Sequence, residues 1–137
     1  MMINRQSSNV SAAARVLLAL LFVVSGFGKL AAPAATKAYI VSAGLPSPDL
    51  AYLAALFIEL GLGMALLVGY RARVVATLLA IFTVVTAFAF HAQFADPNQM
   101  THFLKNIAIG GGLLQVAVYG AGGFALDTVR LRRSQTA

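Results

Sequence analysis

The sequence has no cysteine, and only 10% of its 137 residues are charged. The absence of cysteine excludes disulfide exchange, thiolate catalysis, cysteine-ligated zinc and iron–sulfur clusters from the chemistry of this chain alone. Soluble domains carry about 25% charged residues, so the low charge argues against a water-soluble globule. Acidic residues number four against ten basic ones, but no basic run is interleaved with aromatic residues. We therefore expect no nucleic-acid binding and interpret the basic residues as determinants of membrane topology.

Long apolar segments account for most of the chain, which is 60% hydrophobic. Four of them, at about residues 12–30, 50–69, 74–94 and 102–119, have roughly the 20 residues that a membrane-crossing helix needs. The predicted fold class is all-α: a polytopic membrane protein with four transmembrane helices in an up-down-up-down bundle over residues 12–123. A polar N-terminal tail (1–11) and a basic cytoplasmic tail (124–137) flank it. The first apolar segment could alternatively be a secretory signal peptide. The segment is long enough to cross a membrane and ends in Lys29, a poor neighbour for a cleavage site, and both properties favour a membrane span.

The segment 33–48 interrupts the apolar pattern with three prolines and a glycine. These residues favour a connecting loop. The alternative is a short amphipathic helix over 36–43, with Tyr39 at the membrane interface, that would act as a lid over the bundle.

The basic residues are divided unequally between the two ends of such a bundle. One end receives seven, Arg5, Arg15, Arg71, Arg73, Arg130, Arg132 and Arg133, and the other three, Lys29, Lys37 and Lys105. Because cytoplasmic loops carry the excess of lysine and arginine, both termini are predicted to be cytoplasmic. We therefore expect a protein that crosses the cytoplasmic membrane several times and has the lipid bilayer as a partner.

A single carboxylate, Glu59, lies in the middle of the second apolar segment. A charge at that depth costs a few kcal/mol or more, and such residues usually face the interior of a bundle. Two interpretations remain open. Glu59 is either paired with a lysine and holds the helices in register, or it carries a proton or binds a ligand.

The other polar residues of the apolar segments are predicted to collect in the outer half of the bundle: Lys29, His91, His102, Lys105 and Asn106. Helical spacing places the last three on one face. With Glu59, the two lysines would leave an excess positive charge that suits an anionic or carbonyl-bearing head group. Each residue also has a plain interpretation: the lysines extend to the interface, and Asn106 forms an interhelical hydrogen bond. His91 and Glu59 are the candidates for proton transfer, and no metal is expected because two lysines would repel a cation.

The order of these motifs resembles the DoxX family of small four-helix membrane proteins. The resemblance is carried by RVLLALLFVVSGFGKL, IELGLGMALLVGYRAR, the histidine of AFAFH and FLKNIAIGGGLL, over about residues 15–118. It implies a bacterial inner-membrane four-helix bundle, in which the family-like positions are Lys29, Glu59, His91, Lys105 and Asn106. Some relatives resemble subunits or accessories of membrane oxidoreductases, including a thiosulfate–quinone type.

Three functions follow as hypotheses. The first is an accessory subunit or scaffold of a membrane-bound redox system, with an oxidoreductase as the partner protein and no enzyme activity of its own. The second is a binder of a lipophilic or quinone-like small molecule, with proton-coupled redox chemistry as its enzymatic version. The third is a small proton-coupled transporter. No cofactor is expected within the chain itself, and a homo-oligomer is left open.

Overall fold

The computed structural model describes residues 5–129, and within that range every regular element is helical. The α-helices are α1 (Arg5–Ala31), α2 (Pro33–Ser42), α3 (Pro48–Leu56), α4 (Gly63–Val68), α5 (Ala72–His91) and α6 (Pro97–Tyr119). A π-helical segment, Phe57–Leu62, joins α3 to α4. The all-α prediction is therefore confirmed.

Three stretches of helix are long and apolar enough to cross a membrane: Ser7–Ala31, Pro48–Val68 and Ala72–His91. The last helix, α6, has 23 residues but a polar N-terminal half. It packs along α5, with the rings of Phe88 and Phe103 edge to face at 5.0 Å. Further along, Gly110 lies against Val84 of α5. The two helices are antiparallel because only residues 92–96 separate them.

The favoured loop over residues 33–48 is wrong for its first part, which forms α2 (Pro33–Ser42). Pro33 occupies the first turn of this helix, where the missing N–H is not needed for an intrahelical bond and the fixed φ suits the helix. The proline therefore ends α1 and begins α2. Gly44, with φ of 74°, begins the turn that leads to α3.

Two helices begin earlier than the apolar pattern indicated. The first begins at Arg5, so the second part of the predicted polar tail is helical. Its Ser8 carbonyl accepts a hydrogen bond from Gly123 N at 3.1 Å, which holds this polar turn against the C-terminal segment. The last begins at Pro97, because Asp96 caps it by accepting a hydrogen bond from Asn98 N at 2.8 Å. A hydropathy pattern contains no information on these hydrogen bonds, so it could not predict the two early helix starts.

The second span is a continuous helix with one widened region at Phe57–Leu62, which contains Glu59. A π-helical turn inserts an extra residue and shifts the direction of the side chains that follow it. Helix α1 packs closely against this region. A Cβ at Gly26 would lie 2.7 Å from the Leu60 side chain, and one at Gly63 would lie 3.1 Å from Phe22 Cβ. Both glycines therefore let the two helices approach closely.

The end of the bundle opposite Lys29 is closed by residues 120–129, which we call the C-terminal clasp. Arg15 of α1 is only 2% exposed and donates hydrogen bonds of 3.1 Å to the carbonyls of Ala121 and Phe124. The Asp127 carboxylate accepts hydrogen bonds of 2.8 Å from the backbone of Arg71 and Ala72, at the start of α5. Arg15, counted above as a topology determinant, is thus also a buried link between α1 and the chain's last described residues.

Candidate functional site

Lys29 and Glu59 form an ion pair between α1 and the π-helical segment. Lys29 Nζ lies 2.9 Å from each Glu59 carboxylate oxygen and 2.8 Å from Ser25 Oγ. These three acceptors use all three N–H donors of the ammonium group. The Glu59 side chain is 7% exposed and that of Lys29 is 28% exposed, so the pair is accessible mainly from the Lys29 side.

Local sequence explains how the pair forms. Ser25 and Lys29 are four residues apart on α1 and therefore share a face. Gly26 lies on the same face, and a Cβ there would lie only 3.3 Å from Glu59 Cβ. The helices can thus come close enough for a direct contact. The Tyr52 hydroxyl donates a 3.2 Å hydrogen bond to the Lys29 carbonyl and holds the end of α1 against α3.

The pair lines a cavity of about 610 Å³. Its wall is built by α1, α2, the second span, α5 and α6, and most of the lining side chains are apolar. A volume of this order is that of a small-molecule site, which typically spans about 300–1,000 Å³ and combines an apolar wall with a few polar groups. The polar groups here include Ser25, Thr83, Thr86, His91 and Asn106 beside the ion pair.

His91 lies at the end of α5, half-buried in the cavity wall. Its Nδ1 lies 2.7 Å from Gln99 Oε1 on α6. With the proton on Nδ1 this contact is an N–H···O hydrogen bond, and Nε2 is then the ring nitrogen that can accept a proton. His102 stacks on the His91 ring, with centroids 5.1 Å apart, but is itself exposed and does not line the cavity.

The predicted common face of α6 is only partly correct. Asn106 lies half-buried in the cavity wall and Gly110 is buried, whereas His102 and Lys105 are exposed. The buried stripe of α6 continues through Leu113 and Val116, so its centre is rotated away from Lys105. Adjacent helical positions are about 100° apart, and the apolar contacts of α6 with α5 decide which of them turns inward.

This rotation changes the charge of the site. Among the residues that line the cavity, Lys29 and Glu59 carry opposite charges and contact each other. Lys105 lies elsewhere, so the expected excess positive charge is not present in the wall. A cavity with balanced charges suits an uncharged polar head group better than an anion.

The helix α2 forms one wall of the cavity through Thr36, Tyr39 and Ile40. The Tyr39 ring stacks on Phe90 of α5 with centroids 5.3 Å apart. At the surface, Lys37 pairs with Asp49 of α3, and the hydrogen bond to that carboxylate raises the pKa of Lys37. The lid interpretation of this segment is therefore consistent with where α2 lies.

Sequence reasoning did not identify Ser25, Tyr39 or Thr83 as wall residues. Thr83 donates to its own helix at Leu79 O, at 2.7 Å, and still lines the cavity. A hydroxyl bonded within its helix looks purely structural in the sequence, because nothing in a linear pattern shows what else it faces. Within residues 5–129 there is no group of three or more histidine, aspartate or glutamate side chains that could hold a metal ion.

Comparison with known proteins gives two relatives. A protein-family model described as DoxX matches residues 10–92. The Inner membrane protein YqjF of Escherichia coli (strain K12) is 38% identical over 114 residues, which are 83% of this chain and 86% of that protein. The Inner membrane protein YphA of the same organism is 32% identical over 120 residues, covering 83% and 85% of the two chains. No solved structure matches the chain.

Proposed function

From the premise that this chain belongs to the DoxX family and is a multi-pass inner-membrane protein, we propose that it binds a lipophilic small molecule in the cavity beside Lys29 and Glu59. The observation that carries the proposal is an ion pair, held within a membrane span, that lines a cavity of about 610 Å³ instead of being packed over. An intramembrane ionisable group in such a setting is a functional candidate by default.

The ligand expected is uncharged, with an apolar body and a carbonyl or hydroxyl head group, as in a quinone-like molecule. The balanced charge of Lys29 and Glu59 supports the uncharged head. Glu59 keeps acceptor capacity beyond the two bonds from Lys29, and the Asn106 amide offers donors. The predominantly apolar wall supports the apolar body. Where the head group is a hydroxyl, His91 Nε2 would accept a hydrogen bond from it.

In the same proposal, the chain crosses the membrane four times and both of its termini lie in the cytoplasm. The four-span arrangement is supported by the antiparallel packing of α6 along α5, because this packing would place α6 in the membrane beside the α5 span. The side with Arg71 and Arg73 would be cytoplasmic, and Lys29 and Lys37 would lie at the outer side.

An accessory role in a membrane-bound redox system remains the second candidate, supported by the family resemblance and by the fit of a quinone-like molecule to the cavity. In that role the chain would hold the molecule while a partner oxidoreductase supplies the electrons. Mild extraction of the tagged protein should then recover an oxidoreductase with it. Recovery of the protein alone would contradict the accessory role but leave ligand binding standing.

Mass spectrometry of the organic extract of purified protein tests the binding proposal. Wild type should carry one compound near equimolar amount. Ala55→Phe, which fills the cavity and keeps both charges of the ion pair, should lose it, as should the double variant Lys29→Met/Glu59→Met. Ala14→Phe, on the exposed face of α1, is the matched control and should keep it.

The proposal is contradicted if wild type and Ala55→Phe yield the same extract. The double variant guards against a folding artefact, because it removes both charges together and leaves neither of them buried and unpaired. Thermal unfolding of all four proteins in detergent shows whether each is folded when its extract is taken.

A further inference from the structure

The exposed faces of the other membrane-spanning helices are apolar, as lipid contact requires. Along α1 from 13 to 28, every exposed side chain is alanine, leucine, valine or phenylalanine, apart from Gly28. Along the second span the exposed residues between 50 and 68 are likewise apolar. On α5 the exception between 74 and 88 is Thr77, whose hydroxyl is bonded to Arg73 O at 2.9 Å within its own helix.

One face of α6 differs from these. Five exposed residues share it at helical spacing, and we call them the α6 polar face: Thr101, Lys105, Ala108, Gly111 and Gln115. Thr101 donates to Pro97 O at 2.8 Å within its own helix. Neither the Lys105 nor the Gln115 side chain has a hydrogen-bond or ionic partner within residues 5–129. Lys105 lies eight residues, about 12 Å, along α6 from its start, on a face that the four-span arrangement turns away from α5.

The middle of this face is open to close approach by another helix. A Cβ added at Gly111 would meet nothing within 4 Å, whereas Gly110 and Gly112 beside it face Val84 and Leu18 of this chain. Small residues at such a position let two membrane helices bring their backbones together. Ala108, about one turn before Gly111, is also exposed, and its small side chain would not keep another helix away.

A second copy of this chain does not supply what Lys105 lacks. The chain has four carboxylates, and each is already engaged. Glu59 pairs with Lys29, Asp49 with Lys37, and Asp96 and Asp127 cap the starts of α6 and α5. Glu59 is also the one carboxylate of the four that lies in the middle of a span, and it is 5% exposed.

We infer that the α6 polar face is the docking surface for a membrane helix of a different protein, one that carries an aspartate or glutamate opposite Lys105. A carboxylate on that helix would pair with the Lys105 ammonium, because an ion pair at a protein contact inside the membrane is screened less than in water. The Gln115 amide, with donors and an acceptor, would bond a polar side chain or backbone carbonyl of the same helix. The inference rests on the four-span arrangement proposed above and does not depend on the cavity or its ligand.

Site-specific photocrosslinking in the native membrane tests this. The photoreactive residue p-benzoylphenylalanine replaces Ala108 at the centre of the face, or Leu104 at its edge in case the larger ring at 108 blocks docking. Leu17 on α1, 70% exposed, is the matched control position. Each probe is also placed in Lys105→Gln and Lys105→Arg backgrounds, with expression level and thermal unfolding recorded for every variant.

The expected result at 104 or 108 is an adduct with one other protein, whose cross-linked peptide lies in a membrane helix that contains aspartate or glutamate. The Leu17 probe should label lipid. Lys105→Gln should lower the adduct yield roughly fivefold, as expected for loss of about one interhelical polar contact, and Lys105→Arg should retain it.

Three results would overturn the inference. They are adducts with lipid alone at both α6 positions, an adduct between two copies of this chain, and a protein adduct whose yield is unchanged in Lys105→Gln. Because the organic-extract experiment reads the cavity and this one reads the outer face of α6, failure of either leaves the other interpretable.

Discussion

Arg15 and Lys29 lie on the same helix, about 21 Å apart along its axis, yet they bond different kinds of group. Arg15 is 2% exposed and bonds two backbone carbonyls of the C-terminal clasp. A Cβ at neighbouring Gly69 would clash with Arg15 itself and lie 2.5 Å from Ala125 Cβ. Lys29 bonds a carboxylate, and the space beside that pair is a cavity.

The difference separates a structural charge from a candidate functional one. The guanidinium of Arg15 is buried and bonded to backbone carbonyls, which do not titrate. The Lys29–Glu59 pair has groups that can exchange protons and an adjoining volume that can hold a molecule. Burial of a charge is therefore not enough to indicate a ligand site in this protein. The Lys29–Glu59 pair is a candidate because it also lines a cavity, which Arg15 does not.

The largest effect is expected for Lys29→Met, which leaves the Glu59 carboxylate buried without its partner. The free energy of unfolding should fall by about 3–5 kcal/mol, the usual cost of breaking a buried pair. Lys29→Met/Glu59→Met should recover most of that stability and still lack the ligand. Chemical unfolding in detergent, read beside the organic extract, checks both. A double variant as unstable as the single one would show that the pair, and not the unpaired charge, sustains the fold.

Arg15→Met is expected to have a smaller effect, since the variant removes the cation and leaves two carbonyls without donors. The free energy of unfolding should fall by about 1–3 kcal/mol in all, because water that reaches the loosened clasp can bond the two carbonyls in place of the guanidinium. The ligand should remain in the folded protein. Arg73→Met, at an exposed position of α5, is the control and should change little. Loss of ligand from folded Arg15→Met protein would mean that the two ends are coupled.

The smallest effect is expected for Asp49→Asn, which removes the surface partner of Lys37. Because the pKa of Lys37 is raised in the folded protein, the pair stabilises below the ordinary lysine pKa, and this contribution is lost as pH rises through the raised value. The midpoint of thermal unfolding should fall slightly at pH 8 in low salt, and the difference from wild type should shrink in 1 M salt as the charges are screened. An equal difference at both salt concentrations would point to a role of Asp49 other than charge.

Much of the fold could be predicted because hydropathy and helical period are local properties. Apolar length predicted the helical spans, and the cost of a carboxylate in lipid singled out Glu59 and suggested a lysine partner without choosing between Lys29 and Lys105. Helix ends were less predictable. Pro33 was interpreted as a stop although it is also a start, and the early start of α6 depends on the cap at Asp96.

The sequence by itself determined that this chain is helical, lies in a membrane and must provide Glu59 with a partner. These follow from composition and from the energetic cost of burying charge, which every fold of this chain must meet. Only the tertiary structure decided which neighbours Lys105 and Asn106 have. The two are adjacent in sequence, but one turns out and the other turns into the cavity wall. The rotation of α6 is set by apolar packing against α5, and that packing depends on all of its contacts at once, which no linear spacing contains.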